Sequence, residues 1–200
     1  MNSRSLKIFE KKKGIYISPE NIVAISLAVL IFLIYYLKES FGFNFKGWET
    51  GILILGTIYI IGLMISTFFL HEHKNGEFKG KLKLETDKIS INEKEYSIEE
   101  ISEISIHSSD IEGQFIGYSF EFSRKLSNGL NNEIILKLKN GNEIKCHFFQ
   151  TKRERIKYSK DYLTNYHLKG KINWLQLLNI LEIEDYDKIQ EFKRELNRLK

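Results

Sequence analysis

His71-Glu72-His73 sets two imidazoles two residues apart, the nearest approach to a metal centre in this chain. On an extended segment both rings would share a face, and imidazole is a common zinc, copper or iron ligand. No third ligand follows at a matching spacing, and His107, His147 and His167 stand alone in the sequence. The pair therefore reads as solvated imidazoles beside an apolar segment, with a metal site built from His71, His73 and a carboxylate as the rival. Cys146 is the only cysteine. It makes no disulfide within the chain, and its alternation with Ile144 and Phe148 marks it as a small buried apolar side chain. HExxH, paired CxxC, a phosphate-cradling glycine loop and GxSxG are all missing from the sequence. It thus nominates no catalytic, cofactor-binding or metal-ligating residue and no cofactor.

The other cluster with chemical potential is basic. "TKRERIKYSKDYLTNYHLKGK" carries seven Lys and Arg against two acidic residues. Lys152, Arg153, Arg155, Lys157 and Lys160 form its densest part and are the candidate contacts for anionic phospholipid headgroups or a protein partner. A solvated helix face is the alternative. Nucleic acid is the weakest reading, because aromatic stacking residues are not interleaved with the charges.

What positions these residues is set by two long apolar runs. The chain has 200 residues, 42% hydrophobic and 28% charged, an ordinary average that hides two regimes. Between Asn21 and Leu70 the formal charges are Lys38, Glu39, Lys46 and Glu49, grouped between "NIVAISLAVLIFLIYYL" and "TGILILGTIYIIGLMISTFFL". A helix needs about 20 residues to cross about 30 Å of hydrocarbon. Both runs reach this once Ser18 caps the first and Pro19 opens it, predicting spans over about 18–38 and 50–70. Neither shows the polar face that a surface helix presents to water.

The flanks suggest an orientation. Lys and Arg crowd the segment before Ser18 and the segment after Leu70, while the loop between the runs has two lysines. The positive-inside bias places both ends in the cytoplasm and the loop outside, in an inner (cytoplasmic) membrane. Tyr35, Tyr36 and Trp48 are the predicted interfacial anchors, with Phe41, Phe43 and Phe45 beside them. No ionisable group lies inside either run, which favours an anchor over a transporter. Ala24/Ala28 and Gly62/Ser66 have small-xxx-small spacing suited to self-association.

Beyond His71 the period becomes two. Leu82/Leu84, Ile89/Ile91, Tyr96/Ile98, Ile104/Ile106, Tyr118/Phe120/Phe122, Ile134/Leu136/Leu138 and Ile144/Cys146/Phe148 predict seven antiparallel strands, with a type I′ turn at Asn140-Gly141. Thr151 is the predicted cap of a helix to about Tyr166. Ile172, Leu175, Leu178 and Ile180 or Leu181 predict the buried face of a second helix, and Ile189, Phe192 and Leu196 that of a third.

Two membrane helices followed by seven short strands and a helix resemble the small membrane-anchored bacterial proteins with pleckstrin-homology-like (PH-like) domains. "GKLKLETDKISINEKEYSIEEISEISI" is the segment closest to the opening of that fold. The resemblance implies a membrane-linked binding or scaffolding module and carries over no functional residue. The expected architecture is a membrane-anchored α+β chain. It has a basic segment (1–17), a transmembrane hairpin (18–70), a seven-stranded antiparallel PH-like barrel or sandwich (71–150), and C-terminal helices packed on it (151–200). The expected function is non-catalytic: binding of a protein partner or inner-leaflet lipid. A juxtamembrane metal enzyme and a regulatory or immunity-type subunit are the alternatives.

Overall fold

The computed structural model describes residues 4–42, 47–117 and 124–199, which fall into two compact units. One holds residues 13–73 and 115–126, and the other the remaining chain.

The first of these units is the helical hairpin. α1 spans Pro19–Phe41 and α2 spans Trp48–Thr67. Ser18 caps α1 as its type suggests, its Oγ accepting from Asn21 N at 3.3 Å, and Gly42 ends the helix in the left-handed region. No side chain of α1 is buried; in α2 only Gly56 and Thr67 are. Hydroxyls within the helices turn back onto their own carbonyls. Ser26 Oγ donates to Ile22 O and Thr57 Oγ1 to Leu53 O, each at 2.8 Å, so neither needs water. After α2 the chain pairs with residues 124–126: Lys125 N donates to Thr67 O at 2.8 Å and Glu72 N to Leu126 O at 2.7 Å.

The second unit is a seven-stranded sheet in which every neighbouring pair is antiparallel: β1 Arg4–Lys11, β2 Gly76–Leu84, β3 Lys88–Ile91, β4 Lys94–Ser97, β5 Ile101–His107, β6 Asn132–Leu138 and β7 Glu143–Phe148. Its order is β4-β3-β2-β1-β7-β6-β5. The basic N-terminal segment is thus partly a central strand, which the sequence analysis did not anticipate. Leu6 and Ile8 alternate with Lys7, and both apolar residues are buried. Phe9 is buried as well, in a separate apolar cluster with Leu130 and Phe149, so buried apolar residues fall on both faces of the strand and the alternation that would have announced it is broken. The expected strand over Tyr118, Phe120 and Phe122 lies outside the described residues. The helical hairpin is therefore inserted between the first and second strands.

The type I′ turn is also elsewhere. Asn92 and Glu93, both at positive φ (50° and 70°), join β3 to β4 where Ile91 faces Lys94. At Asn140-Gly141 only Gly141 has positive φ, and Leu138 N donates to Asn142 O, so that hairpin closes with three residues and a glycine bulge.

One face of the sheet meets the helices. Ile8, Leu82, Ile89, Ile104, Ile134 and Phe148, all at most 1% exposed, form the core with residues from three helices: α3 (Lys160–Leu168), α4 (Trp174–Leu181) and α5 (Tyr186–Leu199). Thr151 does not cap a long helix. Its hydroxyl accepts from the backbone of Arg153 and Glu154, closing a local turn, and a 3-10 turn at Ile156–Ser159 precedes α3. Ile172, Leu178 and Ile180 are buried as predicted, but Leu175 is 71% exposed and Leu177 takes the inward place. In α5, Phe192 and Leu196 are buried and Ile189 packs partly against the core.

A buried polar network ties the loops at one end of the sheet. Asn132, fully buried, donates through Nδ2 to Asp110 O and Gly129 O at 2.8 and 2.9 Å; its Oδ1 accepts from Asp110 N and Gln150 Nε2, both at 3.0 Å. Gln150 Oε1 accepts from Ile156 N at 2.8 Å, and the Asp110 carboxylate accepts from Ser127 Oγ and Asn131 N. Such satisfaction is what makes a buried amide tolerable.

Candidate functional site

The five residues nominated from the basic run do not form a common surface. Lys152 and Arg153 are exposed in the turn after β7. Arg155 and Lys157 both pair with Glu182, the residue that ends α4, the latter at 2.6 Å. Lys160 reaches Glu195 at 2.8 Å and lies 4.8 Å from the centroid of the Phe192 ring. Burial, then repulsion from Arg155, lowers the pKa of the Lys157 ammonium. Three of the five cations thus hold α4 and α5 against the preceding chain and are already neutralised.

The imidazoles of the His71–His73 segment part company. His73 Nε2 meets Glu20 Oε2 at 2.9 Å, whereas His71 is exposed and its carbonyl accepts from Arg124 Nη1. Glu20 also receives a fork from Arg124, Nε at 3.2 Å and Nη2 at 2.5 Å, so one carboxylate joins the start of α1 to chain beyond α2. Tyr16 packs against His73 with ring centroids 5.3 Å apart. Among the described residues no three His, Cys, Asp or Glu converge as a metal site would require. This clasp was not legible in the sequence, because Arg124 lies 104 residues from Glu20.

Tyr35, Tyr36 and Trp48 are 65%, 49% and 76% exposed at the ends of α1 and α2 that face the connecting loop. Lys38 and Glu49 pair there at 2.7 Å. Phe43 and Phe45 lie outside the described residues.

A cleft of about 900 Å³ opens between the end of β5 and α4, where Leu175, Gln176 and Asn179 face His107 and Ser109. Ser109 Oγ and His107 Nε2 are 3.1 Å apart, an exposed pair two residues apart in sequence. A serine nucleophile would need its base oriented by a third group, and among the described residues no acid contacts the other ring nitrogen of His107. Cys146 is buried, and burial, with the nearby Glu133 charge adding, pushes its thiol up to about 12, which keeps it a neutral side chain.

The opposite face of the sheet has its own small apolar cluster of Phe9, Leu130 and Phe149, separate from the main core. Phe78 lies across it, its ring 5.4 Å from both Phe9 and Phe149 and the residue itself 44% exposed. Lys74 stands 5.8 Å from the Phe78 centroid and 5.4 Å from that of Phe149, and Lys7 stands 5.9 Å from Phe78. Lys7 and Lys81 are directly opposed across β1 and β2, and both are exposed. The β1–β2 register assembles this surface, and it spans the whole helical insertion, so sequence spacing could not show it. Comparison with protein-family models, curated proteins and solved structures finds no match for the chain.

Proposed function

We propose that this chain is a membrane-anchored binding module. The helical hairpin crosses the cytoplasmic membrane, and the sheet with its C-terminal helices, on the cytoplasmic side, engages a protein partner or the inner leaflet without catalysis. The observation that carries this reading is the solvent face of α1. Ile25, Val29, Phe32 and Leu33 are 49–68% exposed, and no residue of the helix is buried. Leaving each such side chain in water forgoes about 1.5–3 kcal/mol, and over two helices the sum exceeds the whole stability of about 5–15 kcal/mol typical of a domain. Lipid removes that penalty.

The β1–β2 pairing supports the topology. Strands before and after the hairpin are hydrogen-bonded neighbours, so both ends of the hairpin must emerge on one side of the bilayer, as two crossings require. Lysines at 11, 12, 13 and 74 favour the cytoplasm for that side. Seven antiparallel strands with helices directly after the last support the PH-like assignment, with the hairpin inserted after the first strand rather than ahead of the domain. Alkaline carbonate extraction of membranes containing the full chain tests the anchor. Retention in the pellet is the expected result, and release of monodisperse protein without detergent would refute it.

A further inference from the structure

We propose that the outer sheet face around Phe78 docks on the anionic headgroup surface of the bilayer that anchors the chain. This rests on the membrane-anchor reading and names the contact the domain makes. Like charges directly opposed across two strands destabilise a sheet, yet Lys7 faces Lys81 with no carboxylate paired to either among the described residues. Lys83, two residues along β2 and also exposed, is likewise without an ion pair among them. Neighbouring acids do not cancel this charge: Glu10 and Glu77 both serve Lys79, and Glu112 serves Lys74. An anionic surface relieves the repulsion. Phe78, half exposed over a packed aromatic base, supplies an apolar ring able to bury itself at the boundary between headgroups and acyl chains.

Chain length keeps the face within reach. Residues 12–18 join β1 to α1, and residues 68–75 join α2 to β2. At no more than about 3.5 Å per residue these tethers hold the strand ends within about 25–30 Å of the helix ends. Phe78, Lys79 and Lys11 lie near those strand ends, and Lys7 and Lys81 follow the Phe9–Phe78 pair two residues back along β1 and three residues on along β2.

The test uses the full-length protein carrying Ser5→Cys, an exposed position beside Lys83 in the register, labelled with bimane; the native Cys146 is buried. The protein is reconstituted into vesicles of phosphatidylcholine alone or with phosphatidylglycerol, each containing a headgroup-nitroxide lipid as quencher. Docking predicts stronger quenching with phosphatidylglycerol, reversed by salt. In the Lys7→Gln/Lys81→Gln variant the docked-to-undocked ratio falls about 30-fold, about fivefold for each lysine near the surface. Equal quenching in both lipids, or an unchanged double variant, overturns the proposal. Flotation of the same samples separates the two readings. Protein that floats with both vesicle types but lacks lipid-dependent quenching loses only the docking face, whereas protein that floats with neither loses the anchor too.

Discussion

Ile8→Ala probes whether the N-terminal segment is a tail or a structural strand. Ile8 is 1% exposed, faces Phe148 of β7, and sits in the same strand as the buried Leu6, which faces Leu82 of β2. Truncating a fully buried isoleucine costs about 2–5 kcal/mol, transfer and cavity together. The midpoint of the cost, about 3.5 kcal/mol, divided by a urea slope of about 2 kcal/mol per molar, shifts the unfolding midpoint down by about 1.5–2 M. Trp174 is a suitable reporter, since it stacks on the buried Phe192 at 5.7 Å and packs against the core of the sheet unit. In detergent micelles, a Trp48→Phe background leaves Trp174 as the sole tryptophan. The exposed neighbour Lys12→Ala serves as control and should stay within about 0.5 kcal/mol. An Ile8→Ala midpoint indistinguishable from that control would refute the central placement of β1.

Asn132→Ala leaves Asp110 N without its partner, while Gly129 O keeps Gln150 N and the Gln150 amide keeps Ser108 O and Ile156 N, so at about 1–3 kcal/mol for the one group left unpaired the loss by urea titration should be about 1–3 kcal/mol; a loss under about 1 kcal/mol would contradict the network. Gly129 has φ 69°, and a Cβ there would collide with Gln150 O, so Gly129→Ala should cost about 1–3 kcal/mol by the same titration, against near neutrality if the loop can shift. Cys146 keeps its proton up to about pH 12 when folded but releases it near 8.5 when unfolded. Stability from this group is therefore whole below about pH 8.5 and declines as pH rises, by at most about 1.4 kcal/mol per unit. Cys146→Ala should make the alkaline decline of stability shallower, and parallel profiles for the two proteins would remove the assignment.

How much could be read from the residues depended on the range of the interaction. α1 and α2 follow from composition, since apolar runs without a polar stripe have one geometry available. Leu82/Leu84, Ile89/Ile91 and Ile134/Leu136 announced their strands because each alternation holds over its own few residues, and Ile189, Phe192 and Leu196 announced α5 the same way. β1 was hidden because its three apolar residues, Leu6, Ile8 and Phe9, lie among lysines that topology alone would explain, and because its partner strand is some seventy residues away. The basic run misled for a related reason. Lys157 and Lys160 find Glu182 and Glu195 at separations of 25 and 35 residues, beyond any helical or strand period. Leu175 followed the helical spacing yet faces the cleft, since α4 is too short for its pattern to choose between adjacent inward positions. The candidate surface at Lys7, Phe78 and Lys81 needs the strand register before it exists at all.

Two crossings of lipid, with β1 and β2 on one side, are measured directly by cysteine accessibility. Ser5→Cys, Ser40→Cys and Thr86→Cys place thiols at exposed positions in β1, in the last turn of α1 and after β2. Sealed right-side-out and inside-out membrane vesicles are treated with an impermeant maleimide. With this topology, positions 5 and 86 label together in the inside-out preparation while position 40 labels in the right-side-out one. Labelling of all three in the same preparation, or of positions 5 and 86 in opposite ones, would contradict it.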